Sequence, residues 1–354
     1  MVLPGISEIR RSIDAELEAF TRSRSAELKA IDPHLSPVAE ALTEFVVEGG
    51  KRFRPIFAYL GYLGSGGVPA SSILTACSAL ELVHVCALIH DDVMDGSDSR
   101  RNKLAIHKRF ENLHRDNSYV GNSERFGVAA AILLGDLALS WSDQMIGESG
   151  VTDLESKRAN PVFFEMRAEL MAGQYLDVLE GALGKSDSER SLKIARYKSG
   201  RYSIERPLRF GAALAGASDS LQAALSDFGL PLGEAFQLRD DILGVFGDSE
   251  LTGKPSGDDI REGKRTVLIA MTAERSSPDD RAKIDRSLGD PTLSASQVAE
   301  IQRLIEDSGA LSECEGLIER LLDQSLKSLE HPEMNVEIAK SLREMAVAAT
   351  RRKS

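Results

Sequence analysis

Four aspartates fall within eight residues in the stretch His90-Asp91-Asp92-Val93-Met94-Asp95-Gly96-Ser97-Asp98, directly behind the apolar run Ala79 to Ile89. On a helix Asp91 and Asp95 stand one turn apart on one face, where like charges cost about 0.2–0.5 kcal/mol per pair without a counter-ion. A bound cation reverses that sign. Hard oxygen ligands, with no cysteine and no closed histidine set, point to Mg2+, which takes one or two carboxylates and completes its octahedron with water and substrate phosphate. The substrate such a site expects is a diphosphate. A solvated acidic helix end would carry the same letters, but the apolar lead-in places these aspartates at a pocket.

A second cluster, Gln237-Leu238-Arg239-Asp240-Asp241-Ile242-Leu243-Gly244, follows another apolar run, Leu225 to Phe236. Two such helices, facing each other, would hold several metal ions and grip one diphosphate from both sides as its C–O bond breaks. A diphosphate also needs cations from the protein, and three short basic groups supply candidates. Gly49-Gly50-Lys51-Arg52-Phe53-Arg54-Pro55 combines glycines with Arg54, whose planar fork suits phosphate, yet it is no Walker loop because Lys51 is followed by arginine. Arg100-Arg101 comes just after the first aspartate cluster, so one segment carries metal ligands and their cationic complement. The third group is spread over Lys198-Ser199, Lys254 and Lys264, with Lys254 in the glycine-rich loop Gly247 to Gly263, a candidate lid.

The elements that must position these residues are helices. Apolar residues recur at three- and four-residue spacing through 6–28, 70–94, 124–147, 160–180, 219–246 and 296–328, whereas two-residue alternation is nearly absent and aromatics make up only 5% of the chain. The expected fold class is all-α. Of the 354 residues 42% are hydrophobic, enough for one large domain, with a core over about 36–275 and a more polar peripheral layer of helices over about 276–350. A net charge of -12 argues against nucleic acid or anionic lipid as partner. Three cysteines, Cys77, Cys86 and Cys314, without a CxxC pair support neither a disulfide framework nor a zinc site, so a reducing cytoplasm is the expected location. The N-terminus has no long apolar run, and no later stretch reads as 18 uncharged apolar residues, so no membrane insertion is expected.

Together GGKRFRP, HDDVMDGSDSRR, YKSG, FQLRDDILGVFGD and TGKPSGDDIREGKRT resemble the trans-prenyl diphosphate synthases in order and spacing over roughly residues 45 to 270, and the wording is most similar to geranylgeranyl diphosphate synthases of actinobacterial type. The resemblance implies an isoprenoid synthase-type helical bundle around a deep central cavity. It implies ionisation of an allylic diphosphate, attack by the double bond of isopentenyl diphosphate, and proton loss assisted by the departing diphosphate. Carried over by position, Asp91, Asp95 and Asp240 would be direct Mg2+ ligands, three ions binding with substrate, and Asp92 and Asp241 would support them. Arg100, Lys198, Ser199, Gln237, Lys254 and Lys264 would hold the allylic diphosphate. Lys51, Arg54, His84 and Arg101 match positions that bind isopentenyl diphosphate, and Gln174 and Asp177 match a helix near the metals. The second cluster departs from the common DDxxD by placing Gly244 where a third aspartate would stand; Asp248 follows nearby and is given no metal. A homodimer is expected on the same ground.

Product length in the resembled family is a ruler problem, set by side chains one turn before the first aspartate. Here these are Cys86 and Ala87, both small, and the next turn, about 5.4 Å deeper, presents Val83 and Leu82. A product longer than farnesyl is expected, with geranylgeranyl favoured over farnesyl or longer polyprenyl diphosphates. A class I terpene cyclase would require N/D-x-x-S-x-x-x-E, which neither Asp240 nor Asp241 begins. A non-catalytic partner subunit would have no need of the aspartates and basic groups together.

Overall fold

The structure, a computed structural model, describes residues 3–184, 187–247 and 256–352. Among them the all-α expectation holds: strand is confined to one two-residue ladder, Ser99–Arg100 against Lys103–Leu104. The chain groups into two compact units, Met1–Asn160 with Phe210–Gly216, and Pro161–Arg209 with Ala217–Ser354.

The first unit contains α1 (Ile6–Ile31), α2 (Ser36–Val47), α3 (Phe53–Gly64), α4 (Ser71–Met94), α5 (Ile106–Asp116) and α6 (Ser123–Glu148). α1 is amphipathic, burying Ile9, Ile13, Leu17 and Thr21 at four-residue steps. α4 is different, being apolar around most of its circumference, because it is packed by α6, α3 and α1. Both α4 and α6 are long and apolar enough to cross a membrane, with mean hydropathy 1.9 and 1.3 in their richest windows, which corrects the reading that no such stretch exists. Two-thirds of the α4 window is buried inside the protein, so its apolarity is that of a core helix.

The second unit holds α8 (Ser188–Ala195), a π-helical segment (Arg196–Glu205), α10 (Asp219–Phe246), α11 (Asp258–Arg261), α12 (Val267–Arg275), α13 (Pro278–Ser287), α14 (Ala295–Asp307), α15 (Ala310–Lys327) and α16 (Val336–Thr350). The boundary between units falls inside α7 (Asp153–Leu183) and again inside α9 (Arg206–Ala215). The apolar stretch 296–328 is two helices, not one. Gly309, at φ 75°, breaks it in a left-handed conformation that glycine adopts without steric cost. α14 and α15 then bury Val298, Ile301, Ile305, Cys314 and Ile318 in one cluster with Leu238, Ile242 and Val245 of α10. The second aspartate helix is therefore seated on the C-terminal helices.

Candidate active site

In the first unit, the aspartates close α4. The Asp95 amide donates to the Asp91 carbonyl at 2.8 Å, which stacks these two residues one turn apart. Gly96 then takes φ 67°, and the Ser97 amide reaches back to the Asp92 carbonyl at 3.0 Å, a Schellman stop that ends the helix at the acidic cluster. The chain returns through the short ladder, whose turn residues Arg101 and Asn102 sit at φ 53° and 60°. The reversal at Gly96 brings Arg100 back onto α4. Its Nε donates to Asp92 Oδ1 at 2.8 Å, its Nη2 bonds the same oxygen, and Nη2 lies 3.8 Å from Asp91 Oδ2. Asp92 is fully buried, so it serves as the anchor for Arg100 while Asp91 stays partly accessible.

The basic loop is organised by Arg52, a residue given no role by sequence. It adopts φ 55°, is 3% exposed, and donates to Asp14 at 2.8 Å, Glu81 at 2.9 Å and the Val46 carbonyl at 2.6 Å. With Arg52 turned inward, its neighbours Lys51 and Arg54 keep more exposure. Arg101 lies along the same loop: a Cβ on Gly49 would meet its Nη1 at 2.0 Å, so this glycine makes room for the guanidinium, which also lies over the Phe45 ring at 5.5 Å. Left-handed backbone at two arginines costs about 1–2 kcal/mol per residue, and the buried contacts hold it. His84 belongs to this group. Burial first, then repulsion from Arg54, Arg101, Arg100 and Arg52, holds its imidazole well below the ordinary range. It is neutral at physiological pH and offers one donor and one acceptor.

The residues expected to set product length lie on α4, before the aspartates. Val83 and Cys86 are buried and Ala87 is half-buried. Cys86 Sγ is 3.7 Å from His90 Nδ1, and burial pushes its thiol up to about 12, so it stays a thiol rather than a thiolate nucleophile.

In the second unit, Lys198 and Ser199 lie on the π-helical segment, a geometry that recurs at functional sites. Two glycine contacts pack it closely. A Cβ on Gly173 would meet the Lys198 amide nitrogen at 2.4 Å, and one on Gly233 would meet the Gly200 carbonyl at 2.3 Å. Lys198 Nζ donates to Asp177 at 2.6 Å, so two residues singled out in sequence on different elements meet. On α10, Gln237 donates to Asp241 at 2.8 Å, which makes Gln237 a holder of that carboxylate. Asp241 is buried and pushed up to about 8, chiefly by desolvation, with Asp259 and Asp240 adding to it against the Gln237 bond. Arg239 is structural, paired with Glu315 and the Thr350 carbonyl. Asp240 is bonded by Arg352, whose guanidinium lies 4.1 Å over the Phe236 ring, a partner with no sequence signal beyond a basic terminus. Lys264 Nζ lies 2.5 Å from Glu262 and 3.5 Å from Asp259. Lys254 and Asp248 lie outside the described residues.

The model of the family described as "Polyprenyl synthetase" matches residues 36–306. The chain belongs to this family. Among relatives of this polyprenyl synthetase is the geranylfarnesyl diphosphate synthase of Aeropyrum pernix, 32% identical over 78% of the chain and 81% of that protein. The geranylgeranyl diphosphate synthase of Sulfolobus acidocaldarius is 29% identical over 89% and 90%. A crystal structure of geranylgeranyl pyrophosphate synthase from Corynebacterium glutamicum, complexed with isoprenyl diphosphate and magnesium, superposes with a TM-score of 0.95 at 37% identity, covering 99% of this chain and 100% of that one.

The carboxylates of Asp91 and Asp95 in the first unit, and that of Asp240 in the second, are hard oxygen donors of the kind a divalent cation takes, and the three cysteines are buried. No group of three acidic, histidine or cysteine side chains converges as a metal cage among the described residues.

Proposed function

We propose that the chain is a divalent-metal-dependent prenyltransferase that adds isopentenyl diphosphate to an allylic diphosphate, with geranylgeranyl diphosphate as product. The observation that carries this reading is the return of Arg100 onto Asp92 beside Asp91, which couples a carboxylate pair to a fixed cation within one Schellman-hairpin turn. Bound Mg2+, three ions with substrate present, would neutralise the diphosphate and stabilise it as a leaving group. Asp91, Asp95 and Asp240 would hold these ions, and Asp92 and Asp241 would orient the groups around them. Arg100 and Lys198 would bind the allylic diphosphate, each oriented by a carboxylate, Asp92 and Asp177. The group of Lys51, Arg54, His84 and Arg101 would take isopentenyl diphosphate, its neutral imidazole adding a donor without further positive charge. In the reaction the allylic C–O bond breaks, its electrons leaving with diphosphate. The isopentenyl double bond supplies the new C–C bond, and a proton is lost to the departing diphosphate. No side-chain nucleophile is used.

Small residues at Cys86 and Ala87, with Val83 a turn deeper, support a twenty-carbon limit. A homodimer in the cytoplasm, without membrane insertion, completes the proposal. The test is incubation of purified protein with Mg2+, isopentenyl diphosphate and, separately, dimethylallyl, geranyl or farnesyl diphosphate, with mass spectrometry after dephosphorylation. Twenty-carbon product supports the full reading; longer products keep the reaction and move the limit past Val83. Absence of condensation with every primer refutes it, in favour of a partner subunit, or of a cyclase if hydrocarbons form.

A further inference from the structure

Within the second unit, four residues of α7 spaced one turn apart, Glu165, Glu169, Gly173 and Asp177, follow the π-helical segment and the start of α9. Gly173 packs on the Lys198 backbone, and Asp177 accepts from Lys198 Nζ. Glu169 holds the other end of the segment. Its Oε1 accepts from Arg201 Nη1 at 2.5 Å and from Arg206 Nη2 at 2.8 Å, and its Oε2 accepts from Arg206 Nε at 2.8 Å. One carboxylate thus grips two arginines five residues apart. At 3.6 residues per turn such positions point about 140° away from each other. In π winding, where bonds join residues five apart, a turn takes about 4.4 residues and the same positions stand about 50° apart, on one face. A single carboxylate reaches both arginines because the backbone between them is π-wound.

We infer that Glu169 is a positioning residue for the allylic diphosphate, clamping residues 196–205 in the π register that sets Lys198 against Asp177. The inference rests on the reading of Lys198 as a ligand of that diphosphate. π winding occurs mostly as single turns, so a segment of ten residues needs holding from outside. A plain ion pair between α7 and α9 is the simpler use of Glu169, but it would need only Arg206, which also has Glu165 at 3.1 Å and Glu205 at 3.4 Å. Arg201 lies inside the π segment, three residues from Lys198, with its guanidinium 5.1 Å over the Tyr197 ring. Among the described residues Glu169 is the carboxylate paired with it. Loss of that arm frees the segment to wind as an ordinary helix, which turns Lys198 away from Asp177.

The test is a double-mutant cycle on the purified full-length protein with saturating Mg2+, farnesyl and isopentenyl diphosphates being varied in turn and thermal melting checking the fold. Glu169→Gln, which keeps shape and removes charge, is expected to raise KM for farnesyl diphosphate about 10-fold while KM for isopentenyl diphosphate stays within about 2-fold. Lys198→Ala is expected to raise the same constant, and adding Glu169→Gln to it to change little further, since the lysine that the clamp places is gone. Equal rises in both Michaelis constants, or full additivity of the two substitutions, would make Glu169 a structural support alone and overturn the inference. If Lys198→Ala raises the allylic constant and Glu169→Gln does not, the inference falls and the reading of Lys198 stands. If Lys198→Ala leaves that constant unchanged, the reading of Lys198 falls and takes the inference with it. Should Glu169→Gln fail to fold, Arg201→Gln, which cuts the arm inside the π segment and leaves the acids around Arg206 in place, decides by the same comparison.

Discussion

Gly173→Ala adds one methyl group where α7 crosses the π-helical segment. The new Cβ would lie 2.4 Å from the Lys198 amide nitrogen and 2.8 Å from its Cα, both backbone atoms that no rotamer change can move. Ordinary van der Waals contact begins at 3.4 Å, so the two elements must separate by about 1 Å. Overpacking of this kind costs about 1–3 kcal/mol, while alanine in place of glycine in a helix returns about 0.8–1.0 kcal/mol. The net loss is then about 0–2 kcal/mol, a fall in Tm of a few degrees at most. Activity is far more sensitive. Lys198 and its partner Asp177 ride on the separating elements, and a misplacement of about 1 Å can cost 10²-fold in rate. Steady-state kinetics with farnesyl and isopentenyl diphosphates should show kcat/KM for the allylic substrate falling by that order in a folded protein. Gly181→Ala, on the same helix with nothing within 4 Å of its Cβ, should raise stability by about 0.5–1 kcal/mol and leave turnover unchanged. If Gly173→Ala behaves as Gly181→Ala does in both assays, the packing argument is wrong.

Cys86→Phe should shift the product towards fifteen carbons, read by mass spectrometry; unchanged product length would remove Cys86 from the ruler. Arg52→Ala leaves Glu81, only 1% exposed, without its Arg52 bonds and should cost about 3–5 kcal/mol, measured by denaturant melting. For pH dependence, His84 has a depressed pKa in the folded chain. As pH falls below about 6.5 the unfolded chain takes a proton that the folded chain resists, so stability drops on acidification. His84→Gln should show a shallower loss of Tm between pH 7 and 5 than the natural protein; an equal slope would exclude His84 as the cause. Asp92→Ala should raise KM for the allylic substrate about 10-fold, because Arg100 loses its anchor.

The two aspartate helices were legible because an apolar run leads into each cluster and, for the first, Gly96 marks the stop. Periodicity placed α10 over its full length. It did not show the break at Gly309, where apolar spacing continues across one glycine, nor the π-helical segment, which has no signature in a 3.6-residue repeat. Among the arginines of GGKRFRP, sequence could not tell which turns inward, since that follows from left-handed backbone at Arg52 and from Glu81 on another helix. Asp259 and Arg352 escaped for a related reason: each meets α10 from a separate element, and residue spacing carries no information about such meetings.

The crowd of Arg52, Arg54, Arg100 and Arg101 around His84 also bears on how the protein behaves in ordinary buffers. Because Arg52 is paired with Asp14 and Glu81, and Arg100 with Asp92, the cationic character that would draw a doubly charged oxyanion beside the imidazole lies with Arg54 and Arg101. Sulfate or phosphate carried through purification would settle there, raise the melting temperature by mass action and compete with isopentenyl diphosphate. Apparent Michaelis constants would then track the buffer anion, and measurements in chloride and in phosphate would disagree for a protein that is the same in both.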